Sequence, residues 1–187
     1  MSELVLVRHG ETEWSRTRRH TGDTDLPLTE AGEAQARTVA PRLEGREFAL
    51  VLSSPLQRAR QTAELAGFGD RIEFDDDLRE RLYGEYEGLT TKEIRVERPG
   101  WDVWSDDLPG GETLEALGAR ADRVIERALA AGGDTLVFAH AHLLRTLGAR
   151  WIGLGPDGGG KLVLGTSSVS VLGFERERRV LKAWNLP

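Results

Sequence analysis

Leu4-Val5-Leu6-Val7-Arg8-His9-Gly10 is a run of four apolar residues, β-branched at alternate places, that stops on two basic side chains and a glycine. A short apolar run cut off by a polar cluster reads as a buried strand. Thr135-Leu136-Val137-Phe138-Ala139-His140 has the same form and again ends on a histidine. Phe48-Ala49-Leu50-Val51-Leu52 is a third such strand and runs into Ser53-Ser54.

Helical patterns separate these strands. Thr29 can cap a helix carrying Ala31, Ala36, Val39, Ala40 and Leu43, which Pro41 should kink or end. Ser54-Pro55-Leu56-Gln57 predicts a helix start with a serine cap and a proline in the first turn, running to about Ala66 before Gly67. Leu114, Leu117, Ala121, Val124 and Ala128 recur at three and four, an amphipathic helix ended by Gly132-Gly133. Leu143, Leu144, Leu147 and Trp151 repeat that spacing after the strand Thr135 to Ala139. Between Gly69 and Gly111 the periodicity weakens; a short helix over Thr91 to Arg98 is expected there, and ordered loops elsewhere. The tail alternates through Val169 and Val171 and returns from Val180 to Trp184, a hairpin over Glu175 to Arg178. The expected fold is α/β: one domain over residues 1–187, with three α/β/α layers around a largely parallel sheet.

A length of 187 residues suits one domain with a real core. There is no cysteine, which excludes disulfides, thiolate metal sites and cysteine nucleophiles. A net charge of -6 disfavours nucleic acid or an anionic membrane as partner. The N-terminal apolar run is too short for a signal or a span, so a cytoplasmic location is expected. Phe174 and Trp184 in the hairpin are either core or the edge of a homodimer.

In open α/β sheets, ligands bind at the carboxyl ends of the strands. If the three strands are neighbours, His9, His140 and Arg58 converge there with Arg8 beside them. Two imidazoles and two guanidiniums at one edge make an anion site suited to phosphate oxygens. A single histidine at a strand end is more often a hydrogen-bonded structural residue; the joint pattern is what argues for chemistry. His20, in a polar loop, carries no such argument.

Arg8-His9-Gly10-Glu11-Thr12 after a strand resembles the signature of the histidine phosphatases, the phosphoglycerate-mutase-like superfamily. Further segments resemble its motifs in family order: Gly22 to Thr29, Ser53 to Ala63, Leu78 to Gly84 with Glu87-Gly88, Gly110 to Thr113, and Val137 to His140. The resemblance implies that His9 attacks phosphorus and becomes a phosphohistidine. It further implies that Arg8, Arg58 and a protonated His140 surround the equatorial oxygens, and that Glu80 donates a proton to the leaving oxygen. Glu80, rather than Glu11, Glu85 or Glu112, rests on the family match. A carboxyl with that task must be protonated at the first step, so an acidic to near-neutral optimum is expected. No metal and no cofactor enter the scheme. The same resemblance places Ser15, Thr21, Gly22, Tyr83, the N–H of Ala141 and, for the distal end of a sugar phosphate, Arg145 around the substrate.

Two departures stand out. The second histidine is followed by Ala141 where the family usually has glycine, and then by His142. His-x-His on a strand is a metal-ligand spacing, but no further Asp or His cluster completes a site. Some branches with this pattern are acid phosphatases and sedoheptulose-bisphosphatase-like members, so small sugar phosphates or bisphosphates are the expected substrates. The alternative within the family is a cofactor-dependent phosphoglycerate mutase. The short chain and the acidic Gly84-Glu85-Tyr86-Glu87-Gly88 disfavour it. From other classes, a non-catalytic phosphate-binding module and a metal hydrolase using His140 and His142 are the competing readings.

Overall fold

Apolar runs alternating with amphipathic segments condense into one six-stranded sheet with helices on both faces. The computed structural model describes residues 2–187. Its regular elements in chain order are β1 (Leu4–Arg8), α1 (Glu13–Arg16), α2 (Glu30–Arg37), β2 (Leu50–Ser53), α3 (Gln57–Leu65), β3 (Glu73–Phe74), α4 (Thr91–Glu97), α5 (Leu114–Ala130), β4 (Thr135–Ala139), α6 (Ala141–Trp151), β5 (Val169–Glu175) and β6 (Arg178–Leu186). The strand order is β3-β2-β4-β1-β5-β6. The first four are mutually parallel, and the β5–β6 hairpin adds antiparallel to β1.

Alternation along the strands builds two cores. Leu4, Leu6, Leu52, Val137 and Ala139 face α5 and α6, where Leu117, Ala121, Val124, Leu144 and Leu147 meet them. Val5, Val7, Val51, Leu136 and Phe138 face the opposite layer, against Val39, Ala63 and Ala66. These side chains are almost wholly buried, and each large one contributes about 1.5–3 kcal/mol. A smaller cluster of Tyr83, Ile94, Trp101 and Leu108 packs the long connection between β3 and α5. Phe174 and Trp184 pack against the first core, and Trp151 Nε1 donates to the carbonyls of Gly173 and Val180, both at 3.2 Å. Among the described residues, no helix is long and apolar enough to cross a membrane.

The structure corrects several expected boundaries. The second strand begins at Leu50 rather than Phe48, whose ring goes into the core instead. α2 ends at Arg37, and Pro41 sits in a separate 3-10 turn over Ala40–Arg42. Ser54 does not cap α3: its N-cap is Leu56, without a side-chain cap. The Ser54 hydroxyl is taken by a tertiary partner, His140, described below. β3, a two-residue strand, lies within a stretch expected as loop.

Candidate active site

Register brings the chemistry to one rim. Arg8 pairs with Ala139 and Ser53 with Phe138, so β1 and β2 both end level with β4. The next residues keep the alignment: His9 N–H donates to Ala139 O and Ser54 N–H to Phe138 O, each at 3.0 Å. The His9 and His140 rings then lie 5.2 Å apart, centre to centre. This is the carboxyl edge where such sheets bind ligands.

His9 Nδ1 lies 2.7 Å from the carbonyl oxygen of Gly10. A carbonyl only accepts, so the ring proton belongs on Nδ1 and Nε2 carries the free lone pair. Burial, then the charges of Arg58 and Arg8, hold the imidazole well below its usual pKa and keep it neutral. The turn that orients it leaves no room: a methyl group on Gly10 would overlap the carbonyl oxygen of Gly32. Arg8 donates Nη1 to Leu164 O at 2.6 Å, while its buried Nε has no partner among the described residues.

Arg58 is fully buried behind His9. Its Nη1 donates to Thr24 O at 3.0 Å and its Nη2 to Gly22 O at 2.9 Å. Its Nε donates to His140 Nδ1 at 3.1 Å. With Nδ1 accepting, the His140 proton lies on Nε2, which meets Ser54 Oγ at 2.8 Å. Burial and then the Arg58 charge push His140 well below its usual pKa. The protonated His140 of the sequence reading is therefore corrected: one ring nitrogen is committed as an acceptor, and the ring is neutral.

Glu80 meets the N-terminus of α6. Oε1 accepts from the N–H of Arg81 (2.9 Å) and Leu143 (3.0 Å), and Oε2 from that of His142 (3.0 Å). Burial opposes the charged form, but the main-chain N–H donors, that of His142 among them, outweigh it. The carboxyl is held well below its usual value and is ionised. That differs from the protonated state expected of a donor.

A cleft of about 310 Å³ opens over this rim. Arg8, His9, Glu80, Ser15, Thr21, Tyr83, Ala141 and Arg145, all singled out in the sequence, line it. Arg58 and His140 lie beneath it rather than in its wall. Gly22 is turned away: its N–H is held by both Glu87 carboxylate oxygens at 2.9 Å, and its carbonyl by Arg58. Arg145 donates to Gly159 O at 3.0 Å and lies over the Trp104 ring at 4.5 Å. His140 and His142 do not share a strand face, because α6 begins at Ala141 and sends them to different partners.

Sequence reasoning missed Arg18, Arg19, His20, His142 and Leu164 as wall residues. His20 packs on Tyr83 at 4.8 Å and on Trp101 at 5.5 Å, and burial lowers its pKa to about 4. The arginine run beside Ser15 was the available signal for Arg18 and Arg19; Leu164 offered none. The wall thus carries Arg8, Arg18, Arg19 and Arg145 against the single carboxylate of Glu80, a local positive field in an acidic protein.

The chain matches the histidine phosphatase superfamily (branch 1) over residues 4–187. It is 38% identical over 187 residues to an acid phosphatase of Mycobacterium tuberculosis, covering 98% of this chain and 92% of that one. It is 40% identical over 184 residues to sedoheptulose 1,7-bisphosphatase of Saccharomyces cerevisiae, covering 81% and 68%. A solved open-reading-frame product of Mycobacterium tuberculosis superposes with a TM-score of 0.94 at 38% identity, covering 99% of this chain and 97% of that one. A parallel-sheet rim with two histidines, buried arginines and one carboxylate, together with this similarity along nearly the whole chain, leads to one assignment: the chain belongs to the histidine phosphatase superfamily, branch 1, and is a phosphatase of that family.

Proposed function

We propose that the cleft hydrolyses small phosphomonoesters, with sugar phosphates or bisphosphates as the substrate class, through a phosphohistidine on His9. The observation that carries this reading is the His9 Nδ1–Gly10 O bond, which leaves a neutral Nε2 free beside Arg8 and Arg58. In the first step Nε2 forms a bond to phosphorus as the ester P–O bond breaks, and Glu80 gives its proton to the leaving oxygen. In the second, a water oxygen bonds to phosphorus, the N–P bond breaks, and Glu80 takes the proton of that water. Arg8, Arg58 and the N-terminus of α6 offset the charge on the equatorial oxygens.

Glu80 is ionised before substrate arrives, so it must gain a proton on binding. A phosphate dianion brought against it supplies the cause, because two like charges in one buried site raise the affinity for a proton. Substrate binding is then coupled to proton uptake, which favours the acid side of neutrality. Only protein groups act in these steps, and no metal or cofactor is required.

The substrate class rests on two supports. Two of the relatives are named acid phosphatase and sedoheptulose 1,7-bisphosphatase. Arg18, Arg19 and Arg145 also add charge to the wall beyond Arg8, which suits a second anionic group or a row of hydroxyls. The test is phosphate release from p-nitrophenyl phosphate at pH 5–6 and from a panel of sugar mono- and bisphosphates. His9→Ala should reduce release by about 10³-fold or more; a near wild-type rate would overturn the nucleophile. Rapid 2-phosphoglycerate from 3-phosphoglycerate with a bisphosphoglycerate primer, without free phosphate, would make the chain a mutase instead.

A further inference from the structure

Two imidazoles in the cleft wall, His20 and His142, have no part in that reaction, and His142 is the one beside Glu80. His142 is the second residue of α6, and its main-chain N–H is spent on Glu80. Its ring is held on several sides. Nδ1 lies 2.6 Å from Tyr83 Oη and 3.7 Å from Glu80 Oε2. Trp104 lies against the ring at 4.9 Å with a 30° tilt, and the Tyr83 ring meets it nearly edge-on at 5.6 Å. The ring's hydrogen bonding is all at Nδ1. Among the described residues Nε2 has no protein partner, although the residue lines the cleft.

The Tyr83 contact decides which nitrogen carries the proton. Tyr83 is 2% exposed, and burial, then the nearby Glu80 charge, raises its phenol well above its usual pKa. It therefore keeps its O–H, and the acceptor within reach of that O–H is His142 Nδ1. An imidazole that accepts at Nδ1 carries its proton on Nε2. Burial lowers the pKa of His142, the facing Glu80 carboxylate opposes this, and Arg145 and Arg81 add to the lowering. His20, 6.3 Å away, is the other titratable ring facing it. The result is a neutral N–H donor fixed beside the carboxylate that faces the ester oxygen.

We propose that His142 is a further substrate-binding residue: its Nε2–H donates to an oxygen of the alcohol half of the phosphomonoester, and Tyr83 is the positioning residue that holds the proton on that nitrogen. The inference rests on the phosphatase reading. Arg8 in the wall and the charge of Arg58 beneath it serve the phosphoryl oxygens, so a neutral donor next to Glu80 falls to the leaving alcohol, at a hydroxyl near the ester bond. A site built to hydrogen-bond a hydroxyl discriminates against analogues that lack it. The cleft should therefore prefer hydroxylated alkyl phosphates to equally poor leaving groups without hydroxyls. Tyr83, expected from the sequence to touch substrate, acts on it through His142.

Two measurements on the full chain test this. With histidine labelled by ¹⁵N, long-range ¹H–¹⁵N spectra at pH 7 should show His142 as the neutral Nε2–H form, assigned by its loss in His142→Gln. An Nδ1–H form overturns the proposal. Second, kcat/KM is compared for ribose 5-phosphate and ethyl phosphate. Tyr83→Phe and His142→Ala should lower the ratio between them roughly three- to tenfold, the scale of one hydrogen bond, mainly through KM. His142→Gln, which keeps an N–H donor near the Nε2 position, should restore much of it. An equal loss on both substrates would make the Tyr83–His142 contact a structural tie only and overturn the proposal. If the wild type releases no phosphate from any ester, the phosphatase reading fails. Calorimetric titration of the same two compounds into the His9→Ala background then decides His142 separately, by whether the ratio of Kd values falls with the same substitutions or is unmoved.

Discussion

Arg58 Nε and His140 Nδ1 are 3.1 Å apart beneath His9, and this contact sets the state of the second histidine. Arginine can only donate, so His140 accepts there and must place its proton on Nε2, towards Ser54 Oγ at 2.8 Å. The three side chains come from different elements and form one buried chain.

Ser54→Ala removes the acceptor for the His140 proton and leaves a buried N–H without a partner. The expected cost is about 1–3 kcal/mol in urea unfolding, accompanied by a fall in kcat as His140 loses its anchor. Unchanged stability would show that the Ser54 hydroxyl does not hold His140.

Glu87→Ala should weaken the phosphate site without touching it. The Glu87 carboxylate clamps the N–H groups of Gly22 (2.9 Å) and Thr24 (3.2 Å), while the carbonyls of the same two residues hold Arg58. Loss of two charge-assisted bonds should cost about 2 kcal/mol, or roughly 4–8 °C in Tm for a chain of this size. Inhibition by inorganic phosphate should weaken in parallel, and Glu87→Gln, with one acceptor kept, should fall between.

Acid should destabilise the protein in a defined window. His9, His140 and His142 all have lowered pKa values, and His20 falls to about 4. Between about pH 4 and 6.5 the unfolded chain binds protons that the fold refuses, so stability is full above 6.5 and is lost as pH falls towards 4. His20 alone accounts for about 3 kcal/mol of this. Glu80, also lowered, adds a loss below its unfolded pKa as pH falls further. Thermal melts from pH 7 to 4 check the slope. His20→Gln should flatten it, and inorganic phosphate should offset it by binding the folded state.

Chelation should leave turnover unchanged, since every proton and charge in the proposed steps is handled by a protein group. Loss of activity in EDTA, restored by zinc, would return His140 and His142 to the role of metal ligands.

The features legible in the sequence share one property: they are local. A buried strand must be apolar along its whole length, so Leu4–Val7 and Thr135–Ala139 declare themselves, and a charged residue at the end of such a run stands out. The Arg8-His9-Gly10-Glu11-Thr12 motif and the further motifs that follow it in order as far as His140 then carried the family. The cap reading failed at Ser54 because a hydroxyl bonds whichever partner the fold brings near, and here that partner is His140, from a strand 86 residues away. His20 looked inert because its neighbours Tyr83 and Trp101 lie far along the chain.

The sequence by itself determined the α/β class, the strands that end on histidine, and the residue types from which a phosphate site is made. Only the tertiary structure decided their protonation and orientation. A pKa or a tautomer depends on burial and on the nearest donor or acceptor, and those distances exist only once β1, β2, β4 and α6 meet at one edge. His9 and His140 look equivalent as residues that end strands; a carbonyl on Nδ1 of one and a guanidinium on Nδ1 of the other make them chemically opposite.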